Sequence, residues 1–324
     1  MVREGAAHVA VVAETRRSDR TQPVRRRKRG GIRRNWQLYS LLVLPLIWFG
    51  IFRYVPMVGN IIAFRQYVPG YSIFGSGWVG LDNFRMFLAD PTFWKVFRNT
   101  VMLGALALIF GFPVPIILAL LLNELRSRLF KRFVQTTTYL PHFLSIVIVA
   151  GMVLQITSMT GTINQIIGGL GLKQIAFMQD ANWFPVIYVG SEVWQTAGWG
   201  TILYLAALTT VDDSLYEAAR IDGANRWRQT WHVTLPGISP TIVTLLILNI
   251  GTFMAVGFEK ILLLYNPTLY ETADVISTYL YRVGLQSGSF SYAAAIGIFE
   301  ALIGLILVLG ANLVSRRLIG ASLW

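Results

Sequence analysis

The sequence contains no cysteine, which excludes a disulfide framework, Cys-ligated zinc and a thiol nucleophile. Histidine is nearly as scarce. His8, His142 and His232 are the only three and stand far apart in the chain, so no histidine-rich metal site is expected. Charge is short as well: 14% of the 324 residues are Asp, Glu, Lys or Arg and 54% are hydrophobic. An ordinary soluble domain carries about a quarter charged residues. No Gly-Lys dipeptide occurs, so the phosphate-cradling G-x-x-x-x-G-K-[ST] loop is absent. G-x-S-x-G, H-E-x-x-H and Asp-rich calcium loops are missing too. These absences disfavour an enzyme, and any nucleotide-driven process would need its ATPase on another chain.

What is present is apolar and gathered into runs. Six segments approach or exceed the roughly 20 apolar residues that cross about 30 Å of hydrocarbon as a helix. They lie at about 38–62, 100–123, 139–158, 183–209, 238–264 and 292–314. Such runs are rare in a soluble core, and they predict an all-α integral membrane protein with six transmembrane helices. Pro113 and Pro115 fall inside the second run and predict a local kink there. Pro236 and Pro240 stand at the entry to the fifth.

The formal net charge is +12, and its placement matters more than its size. Residues 1–34 hold eleven basic and three acidic residues but too few apolar ones to form a core. They read as a disordered cytoplasmic tail touching anionic headgroups, in preference to a nucleic-acid-binding arm. No small-x-small cleavage pattern closes the apolar run that follows, so the first span reads as uncleaved. With the N-terminus inside, segments 1–37, 124–138, 210–237 and 315–324 carry 20 Lys and Arg, and loops 65–99, 159–182 and 265–291 carry 6. That bias predicts cytoplasmic N- and C-termini, with residues 35–324 forming one transmembrane domain. Outside, residues 81–99 suit an amphipathic surface helix, and Gly168-Gly169-Leu170-Gly171 suits a flexible turn.

The most informative stretch is cytoplasmic: Asp212-Asp213-Ser214-Leu215-Tyr216-Glu217-Ala218-Ala219-Arg220-Ile221-Asp222-Gly223-Ala224-Asn225. Asp and Ser ahead of Glu-Ala-Ala favour a helix start. Ala218, Ala219, Gly223 and Ala224 leave a patch almost free of side chains, ringed by Glu217, Arg220, Asp222, Arg226 and Arg228. Taken alone, the segment is equally a solvated loop helix or a docking helix. Glu217-Ala218-Ala219, then Gly223, then Val233-Thr234-Leu235-Pro236 resembles the EAA–G–I-x-LP signature of ABC-importer permease subunits, with Val233 where Ile is usual. Gly80-Leu81-Asp82-Asn83-Phe84, Gly161-x-Ile163-Asn164, and the run from Leu264 through Asp274, Thr278, Tyr279 and Arg282 to Leu285 extend the resemblance over most of 38–320. They are similar to the sugar-uptake branch of the LplB and MalF type, including the larger permease subunit of bacterial alginate importers. The chain departs from MalF, which has eight spans and a large periplasmic insertion, because loop 159–182 is short.

The resemblance implies a type I ABC-importer permease fold and a non-catalytic subunit. It implies a coupling helix at about 214–226 using Glu217, Ala218, Ala219, Arg220, Asp222, Gly223, Ala224 and Arg226. It also implies a second homologous permease, an ATPase dimer holding ATP and Mg, a periplasmic solute-binding protein and an oligo- or polysaccharide cargo, alginate among the possibilities. No metal, catalytic residue or directly bound cofactor is expected. The rival reading is a self-powered secondary transporter or channel.

Charges inside spans mark the transport path unless they snorkel or form structural ion pairs. Arg53, Glu259 and Lys260 fit the second description, whereas Glu192 and Glu300 stand open between the two. Trp194, Trp199, Tyr204, Phe253 and Phe258 are either packing residues or platforms for the apolar faces of sugar rings. Glu192, Trp194, Trp199, Phe253 and Glu300 are therefore the candidate path residues.

Overall fold

The computed structural model describes residues 36–318, so the basic tail at 1–34 lies outside the described residues. Two units are present, one ending at Val58 and one beginning at Gly59. The first contains α1 (Trp36–Phe49), which carries Pro45 inside it and continues through a π-helical turn at Gly50–Tyr54. Its Leu, Ile and aromatic side chains are exposed, as is Arg53. A helix apolar on all sides and open to its surroundings suits lipid.

In the second unit the stretch expected as one surface helix at 81–99 is broken. Helix α2 (Asp82–Ala89) stops at Asp90, whose Oδ1 accepts the Thr92 N–H at 2.8 Å and caps α3 (Pro91–Gly111). Pro91 occupies the first helical position, where its missing N–H costs nothing. The chain is interrupted at Phe112 and resumes as α4 (Pro113–Glu124), because Pro113 cannot donate to the helix ladder.

The third expected span, 139–158, also changes its limits. Helix α5 (Arg128–Tyr139) precedes a 3-10 turn over Leu140–Phe143 that contains Pro141. Helix α6 (Ile146–Thr157) follows, then α7 (Thr162–Gly169). Between α6 and α7 the chain turns tightly, and a Cβ on Gly161 would stand 2.3 Å from the Gln155 carbonyl oxygen. The turn expected at 168–171 is confined to its end, where Gly171 has φ +75°.

Helix α8 (Phe184–Leu208) is the axis of this unit and packs against α3, α4 and α5. Its small residues allow close approach. A Cβ on Gly198 would lie 2.0 Å from the Thr138 carbonyl oxygen, and one on Gly200 would lie 3.1 Å from Pro115. Among the described residues, five helical stretches are long and apolar enough to cross a membrane: Tyr39–Phe64, Pro91–Glu124, Ile146–Gly169, Arg226–Gly251 and Phe290–Arg317. Helix α8 matches the expected span 183–209 in length but is not one of the five. Ser191, Glu192, Gln195 and Thr196 dilute it, which a helix enclosed by other helices tolerates.

After α8 come α9 (Asp213–Ile221) and α10 (Arg226–Gly251), the latter with a π-helical turn at Thr230–Thr234. The fifth span, expected as one helix over 238–264, ends early. Residues 252–257 are irregular and α11 (Phe258–Leu264) is separate. Turn bonds from Thr252 N–H to Asn249 O and from Phe253 N–H to Ile250 O close the end of α10. Non-helical backbone at such a depth is tolerated where protein or a water-filled cavity surrounds it. The chain ends with α12 (Ile276–Leu280) and α13 (Phe290–Leu318), with no strand among the described residues.

Three buried clusters fill the unit. One joins the first half of α8 to α11 through Phe184, Tyr188, Ile261 and Leu264. A second is aromatic and joins α2 and α3 to α13 through Phe87, Phe93 and Ile296. The third closes the other end with Ala119, Tyr204, Leu208 and Ile238. The glycine contacts on α8 give a paired test. Gly198→Ala drives a methyl into backbone and is expected to cost about 3 kcal/mol or prevent folding. Gly190→Ala, with nothing within 4 Å, is expected to leave the melting temperature in detergent unchanged.

Candidate functional site

The first candidate region is the segment around α9. Asp212 Oδ1 accepts the Ser214 N–H at 2.9 Å and caps the helix. That backbone bond, with help from the Ser214 hydroxyl, holds the Asp212 carboxyl below the usual range. The helix ends at Ile221, earlier than the limit of about 226 expected from the sequence. Gly223 has φ +75°, with Ala224 N–H bonded to Ala219 O at 2.8 Å and Gly223 N–H to Arg220 O at 3.0 Å. This paired pattern is a Schellman turn, and only glycine adopts its left-handed position without strain. Glu217, Ala218, Arg220, Asp222 and Gly223 are exposed, while Ala219 and Ala224 are half-buried. Glu217, Arg220 and Asp222 form no ion pair among the described residues.

The segment is braced against α10. Tyr216 OH lies 3.0 Å from Thr234 Oγ1, and Gln229 Nε2 donates to Ala224 O at 2.7 Å. Asn225 caps α10 by accepting the Arg228 N–H at 2.9 Å. Arg226 reaches Glu124 at the end of α4 (3.0 Å) and so ties two helix termini together.

The second region is a cavity of about 390 Å³ between α3, α4, α8, α10 and the irregular 252–257 segment. Glu192, Thr196 and Trp199 line it from one face of α8, and Asn249 and Phe253 line it from the end of α10 and beyond. His142 stacks on Trp199 at 4.6 Å and 7°. Glu192 accepts a hydrogen bond from Lys260 Nζ at 2.6 Å, and Tyr188 OH accepts the Gly257 N–H at 3.1 Å. These two bonds pin α11 and the irregular segment to α8. Of the five path candidates, Glu192, Trp199 and Phe253 line the cavity. Trp194 and Glu300 do not. Glu259 is exposed, whereas Lys260 is buried in an ion pair. Tyr188, Asn249 and Thr252 also line the wall, and their only sequence signal is a polar group within an apolar run.

A third cluster lies toward the opposite end from α9, where residues 266–286 fold over the start of α3. Asn99 Nδ2 donates to Glu271 O (2.9 Å) and Asp274 O (3.1 Å), and Ile276 N–H donates to Thr100 Oγ1 (2.9 Å). Arg282 pairs with Asp274 through Nη1 at 3.2 Å and Nη2 at 2.5 Å, and its guanidinium lies over the Tyr270 ring at 4.9 Å. Tyr279 and Tyr292 both donate to Asp90 Oδ2, at 2.9 and 3.2 Å. Glu271 binds Lys95, whose hydrogen bond and charge hold the carboxyl below its usual range.

Comparison with known proteins places these features. The family described as "Binding-protein-dependent transport system inner membrane component" matches residues 111–320. Protein LplB of Bacillus subtilis is 46% identical over 287 residues, 88% of this chain and 90% of that protein. The polygalacturonan/rhamnogalacturonan transport system permease protein YteP of the same organism is 49% identical over 281 residues, covering 86% and 88%. A chain in the crystal structure of a bacterial alginate ABC transporter, complexed with alginate pentasaccharide-bound periplasmic protein, is 46% identical with a TM-score of 0.84. That match covers 90% of this chain and 98% of that one, so the fold is the type I ABC-importer permease fold.

The Asp274–Arg282 pair yields a stability test. Asp274 is 4% exposed, and removing one partner of a buried pair leaves the other charge uncompensated. Asp274→Asn is expected to cost about 3 kcal/mol in thermal unfolding. The double variant Asp274→Asn with Arg282→Met is expected to recover most of that loss in a double-mutant cycle.

Proposed function

Because the chain belongs to the family of binding-protein-dependent transport system inner membrane components, we propose that it is one permease subunit of an ATP-driven ABC importer. It is a multi-pass inner-membrane protein. In this reading residues 35–324 cross the membrane six times, with α8 as the enclosed span and both termini cytoplasmic. The partners are a second homologous permease, an ATPase dimer that holds ATP and Mg, and a periplasmic binding protein. The chain itself catalyses nothing and supplies half of the path.

One observation carries the coupling role: α9 is exposed, capped at both ends and braced on α10, with no ion-pair partner for Glu217 or Arg220 among the described residues. We assign docking on the ATPase to Glu217, Ala218, Ala219, Arg220, Asp222, Gly223, Ala224 and Arg226. ATP closure would then move α9 and switch access to the cavity from one side of the membrane to the other. The cargo is an oligo- or polysaccharide, and the polygalacturonan/rhamnogalacturonan and alginate relatives favour an acidic one. Glu192, Trp199 and Phe253 are the residues that would meet it. A stacked aromatic and an exposed carboxylate oxygen are the groups that sugar faces and hydroxyls bind.

Gly223→Asp tests the coupling. The permease is expected to insert and fold, melting slightly below wild type because of strain at φ +75°, while the assembled importer loses at least about 10-fold of its substrate-stimulated ATPase activity. Unchanged assembly and transport in that variant would sink the coupling role. Ion-gradient-driven uptake by this chain alone would instead establish the self-powered transporter.

A further inference from the structure

Glu192 of the cavity wall forms an ion pair with Lys260 that packing does not account for. Lys260 is 1% exposed, and Glu192 is its one hydrogen-bond partner among the described residues. Removing an ammonium and a carboxylate from water costs several kcal/mol per ion, and apolar replacements of such pairs are often neutral or stabilising. Helix α11 is held to α8 without the pair, through the Tyr188–Gly257 bond and the burial of Ile261 and Leu264 against Tyr188 and Phe184.

Orientation supplies the missing reason. The Glu192 side chain is 34% exposed and lines the cavity, whereas Lys260 stands behind it and does not. Lys260 occupies Oε2, and Oε1 receives no hydrogen bond from the described residues. Thr196, one turn further along, spends its hydroxyl on the Glu192 carbonyl at 2.8 Å and so leaves the carboxylate alone. Trp199 follows on the same helical face, with one side of its ring covered by His142.

We propose that Lys260 is a positioning residue that keeps the Glu192 carboxylate aimed into the cavity, where its second oxygen accepts hydrogen bonds from sugar hydroxyls. The open face of Trp199 carries the apolar face of the same ring. This rests on the cavity being the saccharide path. It also sets an orientation: an acidic sugar turns its carboxylate away from α8, because Glu192 repels it, and its hydroxyls toward α8.

The test is equilibrium binding of labelled trigalacturonate and its carboxyl-reduced neutral counterpart to the purified importer complex, without binding protein. Losing a hydrogen bond to a charged group corresponds to about 10-fold or more in affinity. E192Q and K260M are each expected to weaken both trisaccharides by that factor, and K260R to restore most of it. The variant E192Q/K260M removes both charges together, so it is expected to keep the wild-type melting temperature and still bind weakly. Wild-type binding of both probes by E192Q/K260M overturns the proposal. So does E192Q binding the acidic trisaccharide more tightly, since Lys260 would then read the sugar carboxylate itself. W199A separates the two levels. If it weakens binding while E192Q does not, the cavity reading stands and the Lys260 role falls. If neither weakens binding, both fall.

Discussion

The cavity and the irregular stretch after α10 are both arranged around α8, and α8 holds that place because its backbone closely approaches its neighbours. Gly198 meets the Thr138 carbonyl and Gly200 meets the Pro115 ring, so no side chain of α8 itself stands between it and α5 or α4 at those levels. In lipid there is little hydrophobic drive between helices, and association depends on van der Waals contact and hydrogen bonds. Thr201 adds one such bond, donating to Pro115 O at 3.3 Å. The same enclosure lets α8 carry Ser191, Glu192, Gln195 and Thr196 in one stretch without facing hydrocarbon.

Several backbone groups at or beyond the helix ends are satisfied by side chains of α8 or α3. The Gly257 N–H goes to Tyr188, and Ile276 N–H goes to Thr100. The carbonyls of Glu271 and Asp274 go to Asn99. Each partner is a side chain on a regular helix, so the irregular segments have fixed positions. This is the price of placing non-helical chain beside a cavity within a membrane-spanning fold.

The helical membrane class was legible from the length of the apolar runs, and the membership of the family from Glu217-Ala218-Ala219, Gly223 and Leu235-Pro236. The turn at Gly223 was not: the helix was expected to run to about 226, whereas it stops at Ile221 because C-caps of this geometry select glycine. Nor were the limits of the third and fifth spans. Hydropathy sums residues without regard to direction, so it does not register the 3-10 turn at Pro141 or the arrest of α10 at Gly251. The cavity was legible only in part. Glu192 and Lys260 were visible as charges in apolar runs, but 68 residues separate them and nothing local pairs them. Glu300 and Trp194 have the same composition signal as Glu192 and Trp199, and only the helix face distinguishes them.

The bracing of α9 on α10 has a mechanical side. A Schellman turn, the Gln229–Ala224 bond and the Tyr216–Thr234 bond fix the angle between the two helices, much as a bell crank fixes its arms. Rotation imposed on one arm reappears at the far end of the other with little lost between. The far end is Gly251, where the helix stops and irregular chain begins. Beyond it α11 is anchored to α8 through Tyr188 and the packing of Ile261 and Leu264. Displacement therefore has to be absorbed over residues 252–257, a handful of residues that are also one wall of the cavity.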